Sequence, residues 1–331
     1  MTMIKSLLLI LFSADTYVYF GWAVLIVLSL LLWWSFRRRR KGRNWIRWTL
    51  AVLLCSAWVA FLYGAYFGFA KLEVRRVELA FADLPPAFDG YRIVLWSDAH
   101  VGSYTGAREG ILRRAVDSIK AQQADMVIFA GDLQNKVPEE IEPWRDLLSS
   151  ITAKDGVYSV LGNHDYPYYV DKPDYEKYEQ LGKTVGLERE MGWTLLPNAH
   201  RMVYRGGDSI VVAGMENDSR KRFGQKGDIG RTLWGVSRDC FVVMIEHDPS
   251  AWRRKILPRC HSQLTLSGHT HGGQFRLFGW TPASWMCSEN DGLYEYDGRK
   301  LFVTHGLGGV IPMRWGVPGE IVVITLSQKP S

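Results

Sequence analysis

The chain has 331 residues, enough for one large or two modest domains, is 47% hydrophobic, and carries a formal net charge of +6. The charge is lopsided, with nine Lys/Arg and one Asp in residues 1–71, a net of +8 that leaves −2 for residues 72–331. The second part therefore offers no general polyanion-binding surface, which disfavours a nucleic-acid partner, and the four cysteines say little, since Cys240, Cys260 and Cys287 have no metal-type spacing.

No side chain is charged from Thr16 to Phe36, and a second uncharged run extends from Thr49 to Ala70. Each matches the roughly 20 residues that a helix needs to cross a bilayer. Trp33, Trp34, Trp45 and Trp48 stand at the ends facing the connecting loop, where indoles favour the membrane interface. That loop is RRRRKGR, Arg37 to Arg43, with Arg47 behind it, whereas only Lys5 and Asp15 precede the first run. The positive-inside rule thus predicts a transmembrane hairpin over residues 1–71, spans about 16–36 and 49–70, with the loop in the cytoplasm and both chain ends outside. Lys5, LLLILF and Ser13-Ala14 also resemble a weak signal sequence. The shortness of that apolar run, and the full span directly after it, favour an uncleaved hairpin. Cys55 falls in the second span; two of Cys240, Cys260 and Cys287 could pair in an extracytoplasmic domain, but nothing selects a pair.

After Lys71 the composition becomes that of an α/β protein, and the join through Pro85, Pro86 and Asp89-Gly90 reads as linker and turn, so a second domain is expected over 72–331. Short runs rich in β-branched residues follow. Arg92 to Trp96 ends in Ser97, Asp98, Ala99 and His100. Ala107 to Gln123 carries Ile111, Leu112, Ala115, Val116 and Ile119 at helical spacing, with basic residues on the other face. Met126 to Ala130 ends in Gly131 and Asp132, and a helix is predicted after Pro138, with Ile141, Trp144, Leu148 and Ile151 on one side. Val157 to Leu161 ends in Gly162, Asn163, His164 and Asp165, and a partly helical, tyrosine-rich segment then reaches about Met191. Further strand-like runs are Ile210 to Ala213, Phe241 to Ile245 before Glu246 and His247, Leu264 to Ser267 before GHTHGGQ, Leu301 to Thr304 before His305, and Ile321 to Leu326.

Open α/β sheets gather ligands at the carboxyl ends of their strands, so these side chains are expected on one rim. The rim set is Asp98, His100, Asp132, Asn163, His164, His247, His269 and His271, which takes in five of the chain's eight histidines. In an extended segment, His269 and His271 would point to the same side and could reach one centre or two. Carboxylate, imidazole and amide oxygen suit Mn, Fe or Zn better than calcium. Seven candidate ligands exceed one tetrahedral site, and an Asp can bridge two ions about 3.5–4 Å apart. His305, His200 and His261 are expected to be structural, while Gln274 and Arg314 are candidates for phosphate contacts.

The blocks SDAHVG, AGD, LGNHD, EHDP and SGHTHGG resemble, in order, those of the calcineurin-like metallophosphoesterases over most of residues 90–326. The closing section from Gly292 to Ile321 resembles the membrane-associated bacterial branch of that family. The resemblance implies a four-layer αββα sandwich of two mixed sheets tethered by the two helices, and an enzyme that hydrolyses phosphoester or pyrophosphate bonds. It implies that Asp98, His100 and His271 hold a first metal, that Asp132 bridges, and that Asn163, His247 and His269 complete a second; Mn is the expected ion, Fe or Zn the alternatives. His164 would protonate the leaving oxygen, with Asp165 orienting it. The chemistry agrees, because two cations neutralise the anionic ester and supply hydroxide near neutral pH, and an imidazole can protonate the departing oxygen.

A membrane tether restricts search to the lipid surface, so the expected substrate is a lipid-linked phosphodiester or pyrophosphate outside a bacterial inner membrane. The resemblance supplies an alternative, hydrolysis of UDP-2,3-diacylglucosamine in lipid A synthesis, which requires a cytoplasmic site. A second alternative is a non-catalytic, metal-binding membrane module.

Overall fold

The computed structural model describes residues 14–37, 44–219, 224–285 and 287–329. Two apolar helices open it, α1 (Ala14–Arg37) and α2 (Asn44–Leu62), the latter running on through a wider turn, Tyr63–Gly68. Both are long and apolar enough to cross a membrane, and the rest of the protein leaves their side chains largely uncovered. The start of the chain and most of the arginine-rich loop, residues 1–13 and 38–43, lie outside the described residues.

The first strand begins at Leu72. Twelve strands form two six-stranded sheets. In the first, the order is β1 (Leu72–Phe81), β12 (Gly319–Gln328), β2 (Arg92–Trp96), β3 (Met126–Phe129), β4 (Val157–Ser159) and β5 (Thr194–Leu195). In the second it is β10 (Gly292–Tyr296), β11 (Arg299–Val303), β9 (Leu264–Ser267), β8 (Phe241–Ile245), β7 (Asp208–Gly214) and β6 (Ala199–Arg205). Strands β2 to β5 run parallel, as do β7, β8, β9 and β11, with antiparallel partners elsewhere in each sheet. The central strands are buried on both faces, which is why they read as continuous aliphatic runs.

The two sheets pack on each other through one core that includes Ile93, Leu95, Ile128, Ile245, Leu266 and Phe302. The outer face of the first sheet is covered by α3 (Glu109–Ala121), α4 (Arg145–Ser149) and α5 (Asp174–Glu190); Ile111, Leu112, Ala115, Val116 and Ile119 of α3 face inward as the spacing predicts. Trp252 and Ile256 pack with Val211 and Val242 on the outer face of the second sheet. This is the expected mixed α/β sandwich.

Three expectations need correction. The first strand expected from the sequence is Arg92 to Trp96, yet Leu72–Phe81 before it is an edge strand pairing in parallel with β12. Its Arg75, Arg76 and Glu78 are the charges that keep an exposed edge from pairing further, and they hide the alternation. The helix expected after Pro138 is broken into two 3₁₀ turns and a short α4, because Pro143 interrupts it; Ile141, Trp144, Leu148 and Ile151 are buried nonetheless. His269-Thr270-His271 is not extended: both histidines have left-handed φ (71° and 52°), with Thr270 right-handed between them.

Candidate metal centre

Asp98 and His100 follow β2, Asp132 follows β3, Asn163 and His164 follow β4, His247 follows β8, and His269 and His271 follow β9. All eight therefore meet where the carboxyl rims of the two sheets adjoin. Bonds between the sheets close this rim: His269 N–H reaches both carboxylate oxygens of Asp98 (3.1 and 3.0 Å), and the His247 ring reaches the Ala130 carbonyl (2.7 Å).

Five of the seven candidate ligands, Asp98, His100, Asp132, His269 and His271, have positive φ. Left-handed backbone is uncommon for residues other than glycine, and its concentration here marks turns held in place to aim these side chains. Gly268 permits a close approach between the two sheets' rims, since a Cβ there would lie 2.3 Å from Ser97 Oγ and 2.4 Å from Asp98 Oδ2.

The side chains divide into two groups, Asp98 with His100 and His271, and Asp132 with His247 and His269, in each of which the ligand atoms lie within 4.8 Å of one another. The groups adjoin through Asp132 Oδ2, which is 3.2 Å from His247 Nε2 and 3.7 Å from His100 Nε2. Asn163 Oδ1 lies 3.2 Å from His247 Nε2, in the second group. His269 and His271 thus face different groups, and left-handed turns separate them rather than strand alternation. Asp98, His100, Asp132, Asn163 and His247 are buried, whereas His164, His269 and His271 are part-exposed and form the open side.

The donor chemistry fits a cation in the second group. His247 gives its Nδ1 proton to Ala130, so its Nε2 lone pair faces Asp132 Oδ2, Asn163 Oδ1 and His269 Nδ1, each at 3.2 Å. The Asn163 amide nitrogen donates to the Tyr169 hydroxyl at 2.6 Å, which leaves its oxygen facing inward. Four acceptors converge on one point, an arrangement that only a proton or a cation can satisfy. Burial opposes a charged His247, but Asp132 and Asp98 outweigh it and raise its pKa to about 10, so the position attracts positive charge strongly. Asp132 is likewise buried, yet His247 and His164 hold its carboxyl well below the ordinary range.

The first group fits as well. His100 Nδ1 lies 3.2 Å from the Gln134 carbonyl, while its Nε2 and His271 Nδ1 are buried without a hydrogen-bond partner. Burial pushes His100 well below its usual pKa, with His164 adding to the effect, and lowers His271 to about 4; neutral imidazole is the form that binds metal.

His164 sits beside both groups. Its ring lies 4.8 Å from His100, its backbone N–H donates to Asp132 Oδ1 at 2.7 Å, and its Nδ1 is 2.6 Å from the Asn135 carbonyl. Tyr169 stacks on it at 4.1 Å, nearly parallel. Asp165 does not orient this ring. Its carboxylate accepts backbone N–H groups of Asp132, Leu133, Gln134 and Gly162, tying the β3 and β4 turns together, while burial and the Asp132 charge push its pKa up. The ring-orienting group is the Asn135 carbonyl, which sequence blocks cannot reveal because it is backbone.

Two other expectations also change. Arg314 is fully buried and donates to the carbonyls of His305, Gly306, Gly308, Val317 and Pro318, so it braces a loop and is no phosphate contact. Gln274 is similarly engaged by the carbonyls of Ile311 and Met313. His305 pairs with Asp291 at 2.5 Å beneath Gly272, and the His200 ring lies 2.8 Å from the Thr232 carbonyl. Among the tyrosines, Tyr166 is buried, Tyr175 and Tyr178 are exposed on α5, and Tyr169 contacts the candidate site residues Asn163 and His164. Asp248, 3.5 Å from His269 Nε2, was legible only as part of EHDP.

The sequence profile of the calcineurin-like phosphoesterases matches residues 91–273, from the strand before Asp98 to the glycines after His271. The chain belongs to the calcineurin-like phosphoesterase family. A transmembrane protein with a metallophosphoesterase domain from Danio rerio is 30% identical over 291 residues, covering 85% of this chain and 63% of the relative. The Bacillus subtilis metallophosphoesterase YkuE is 26% identical over 306 residues, 88% of this chain and 99% of its own length. A metallophosphoesterase from Helicobacter pylori is 27% identical over 299 residues, 88% of this chain and 73% of the relative. This chain thus spans somewhat under two thirds of the Danio rerio protein. As a metallophosphoesterase it falls among phosphoester hydrolases that typically bind two divalent metals, and its two clusters are where such ions would sit.

Proposed function

We propose that this metallophosphoesterase is a membrane-anchored phosphohydrolase that uses two divalent cations to cleave a phosphodiester or pyrophosphate carried by a lipid. The observation that carries the reading is the pair of ligand clusters adjoining at Asp132, with the His164 ring alongside. Asp98, His100 and His271 would hold one ion, Asn163, His247 and His269 the other, and Asp132 both. When bound, the cations would neutralise the phosphoryl oxygens and supply hydroxide from water near neutral pH. Asp98 and Asp132 bring negative charge to the ions, and the neutral imidazoles complete the donor set. His164, fixed by the Asn135 carbonyl and the Tyr169 ring, is placed to give a proton to the leaving oxygen. Asp165 keeps the β3 and β4 turns in register so that Asp132 and His164 stay adjacent.

The uncovered helices α1 and α2 support a two-span anchor over residues 1–71 with the catalytic domain following at 72–331, and the Danio rerio relative's name is consistent with it. The arginine-rich loop supports a cytoplasmic connection and an extracytoplasmic catalytic domain beside a bacterial inner membrane. Mn is the proposed ion, with Fe or Zn equally acceptable to the ligand set.

Hydrolysis of bis(p-nitrophenyl) phosphate with added Mn²⁺ tests the activity. The full chain should turn over and Asp132→Ala should not; a metal-loaded protein without turnover would instead be a non-catalytic module. A reporter fused after Ser331 and active only in the cytoplasm would overturn the orientation and favour the UDP-2,3-diacylglucosamine reading.

A further inference from the structure

The turn that carries His271 continues directly into a loop whose surface the fold leaves unexplained. Leu277 and Trp280 exchange backbone hydrogen bonds, both 3.0 Å, so Phe278 and Gly279 form a two-residue hairpin tip with φ of 51° and 83°. A tip with two left-handed residues favours Asn-Gly or Gly-Gly, and a phenylalanine in that conformation is disfavoured. Phe278 is nevertheless 100% exposed, so no contact among the described residues offsets the strain. Leu277, Trp280 and Trp285 are also exposed around it, and the neighbouring segment adds Ile311 and Met313. The only charge between Phe275 and Trp285 is Arg276, and it is occupied by Asp291 at 2.7 Å.

This apolar surface joins the membrane hairpin through continuous contacts. Arg314 N–H donates to the Gly64 carbonyl at the end of the second span, and Tyr63 packs edge-on against Trp315 at 5.6 Å. Trp315 pairs by backbone with Gln274 and Arg276 and stacks on Phe275 at 5.8 Å; Phe275 meets Trp280, and Trp280 meets Trp285. The other end of the loop is fixed to the site, because Thr281 Oγ1 donates to the Gly272 carbonyl at 2.7 Å, one residue from His271.

We propose that the Leu277–Trp285 loop, with Ile311 and Met313, is a bilayer-docking surface that lies in the lipid interface beside the hairpin and holds the open side of the metal centre at headgroup level. The proposal rests on the reading of α1 and α2 as membrane spans. Aromatic side chains with an apolar body and a polar edge partition to that interface, and a large uncharged patch next to a span end is completed by lipid at no cost in charge burial. The occupant is therefore the bilayer, with a second protein surface as the competing outcome.

The test places a nitroxide at Phe278→Cys in the full-length chain, with its four native cysteines replaced by alanine, in nanodiscs of phosphatidylethanolamine and phosphatidylglycerol. Labels at Val52→Cys and Trp234→Cys serve as references, the first on the outward side of α2 and the second on an exposed surface of the second sheet's outer layer. Collisions with oxygen report lipid, and collisions with a polar nickel complex report water. The expected result is a Phe278 label shifted toward the oxygen-rich behaviour of Val52 and away from Trp234. A Phe278 label that matches Trp234 while Val52 remains in lipid overturns the docking surface and leaves the anchor intact. Shielding of Phe278 from both reagents shows a protein contact and also overturns it; a water-exposed Val52 removes the anchor and the proposal together.

Discussion

Tyr169 offers the sharpest test of how the site is held together. Its hydroxyl accepts from Asn163 Nδ2 at 2.6 Å and its ring stacks on His164 at 4.1 Å, so one side chain sets both the amide orientation in one cluster and the imidazole beside it. Tyr169→Phe removes only the hydroxyl. A hydrogen bond of this kind contributes about 0.5–1.5 kcal/mol, so Mn²⁺ affinity should fall by about two- to twelvefold as the amide gains freedom to flip. Tyr169→Ala also removes the stack, worth about 0.5–1.5 kcal/mol more, and the combined loss should reach about five- to 150-fold in kcat/KM. The assay is Mn²⁺ titration by calorimetry alongside hydrolysis of bis(p-nitrophenyl) phosphate at verified metal content. The phenylalanine variant should weaken metal binding while keeping kcat at saturating Mn²⁺ close to that of the native chain, and the alanine variant should lower both. Metal affinity and turnover unchanged in Tyr169→Ala would refute the positioning role.

Three other perturbations bear on the same framework. Gly268→Ala would drive a Cβ into Ser97 and Asp98, and a displacement of that size at reacting groups should cost roughly a hundredfold in kcat with normal circular dichroism; activity within a factor of two would show that the β9 turn yields easily. Arg314→Met strips several buried carbonyls of their donor and should cost about 3 kcal/mol or more, a fall of roughly 6–12 °C in Tm for a domain of this size. A raised KM with an unchanged Tm would return Arg314 to the phosphate. Asp291 is held down to about 2 against burial by His305 and Arg276, so its ionised form stabilises the fold above the unfolded value near 3.8, and this contribution is lost as pH falls toward 2. The Tm difference between the native chain and Asp291→Asn should therefore be constant at neutral pH and shrink between about pH 4 and 2; a difference that grows there would contradict the assignment.

The eight inner strands were legible in the sequence, and the four strands that were missed, β1, β5, β6 and β10, are the four sheet edges. Inner strands are buried on both faces and read as unbroken aliphatic runs, while edges are short or carry charges such as Arg75, Arg76 and Arg201. The rim side chains were legible for the same reason, since they stand directly after inner strands. What could not be read was the support beneath them. The carbonyls of Ala130, Gln134 and Asn135 that face three of the imidazoles belong to whatever residue occupies those positions, and the left-handed turns at His269 and His271 depend on packing between the two sheets.

The junction at Gly68 has a further consequence. A Cβ there would lie 1.8 Å from the Arg314 carbonyl, and β1 starts only four residues later, so the hairpin meets the sandwich without slack. Asp15, at the other end of the hairpin, is paired with Arg108 in the segment after His100. The two clusters are therefore carried at a set height and tilt relative to the helices, like a blade on a short handle rather than a weight on a cord. On the proposed reading, in which the helices span a bilayer, reach would be decided by the length of whatever connects a phosphate to its own anchor: groups seated one headgroup from the surface would meet the clusters, and the same group on a long, upright stalk would pass above them.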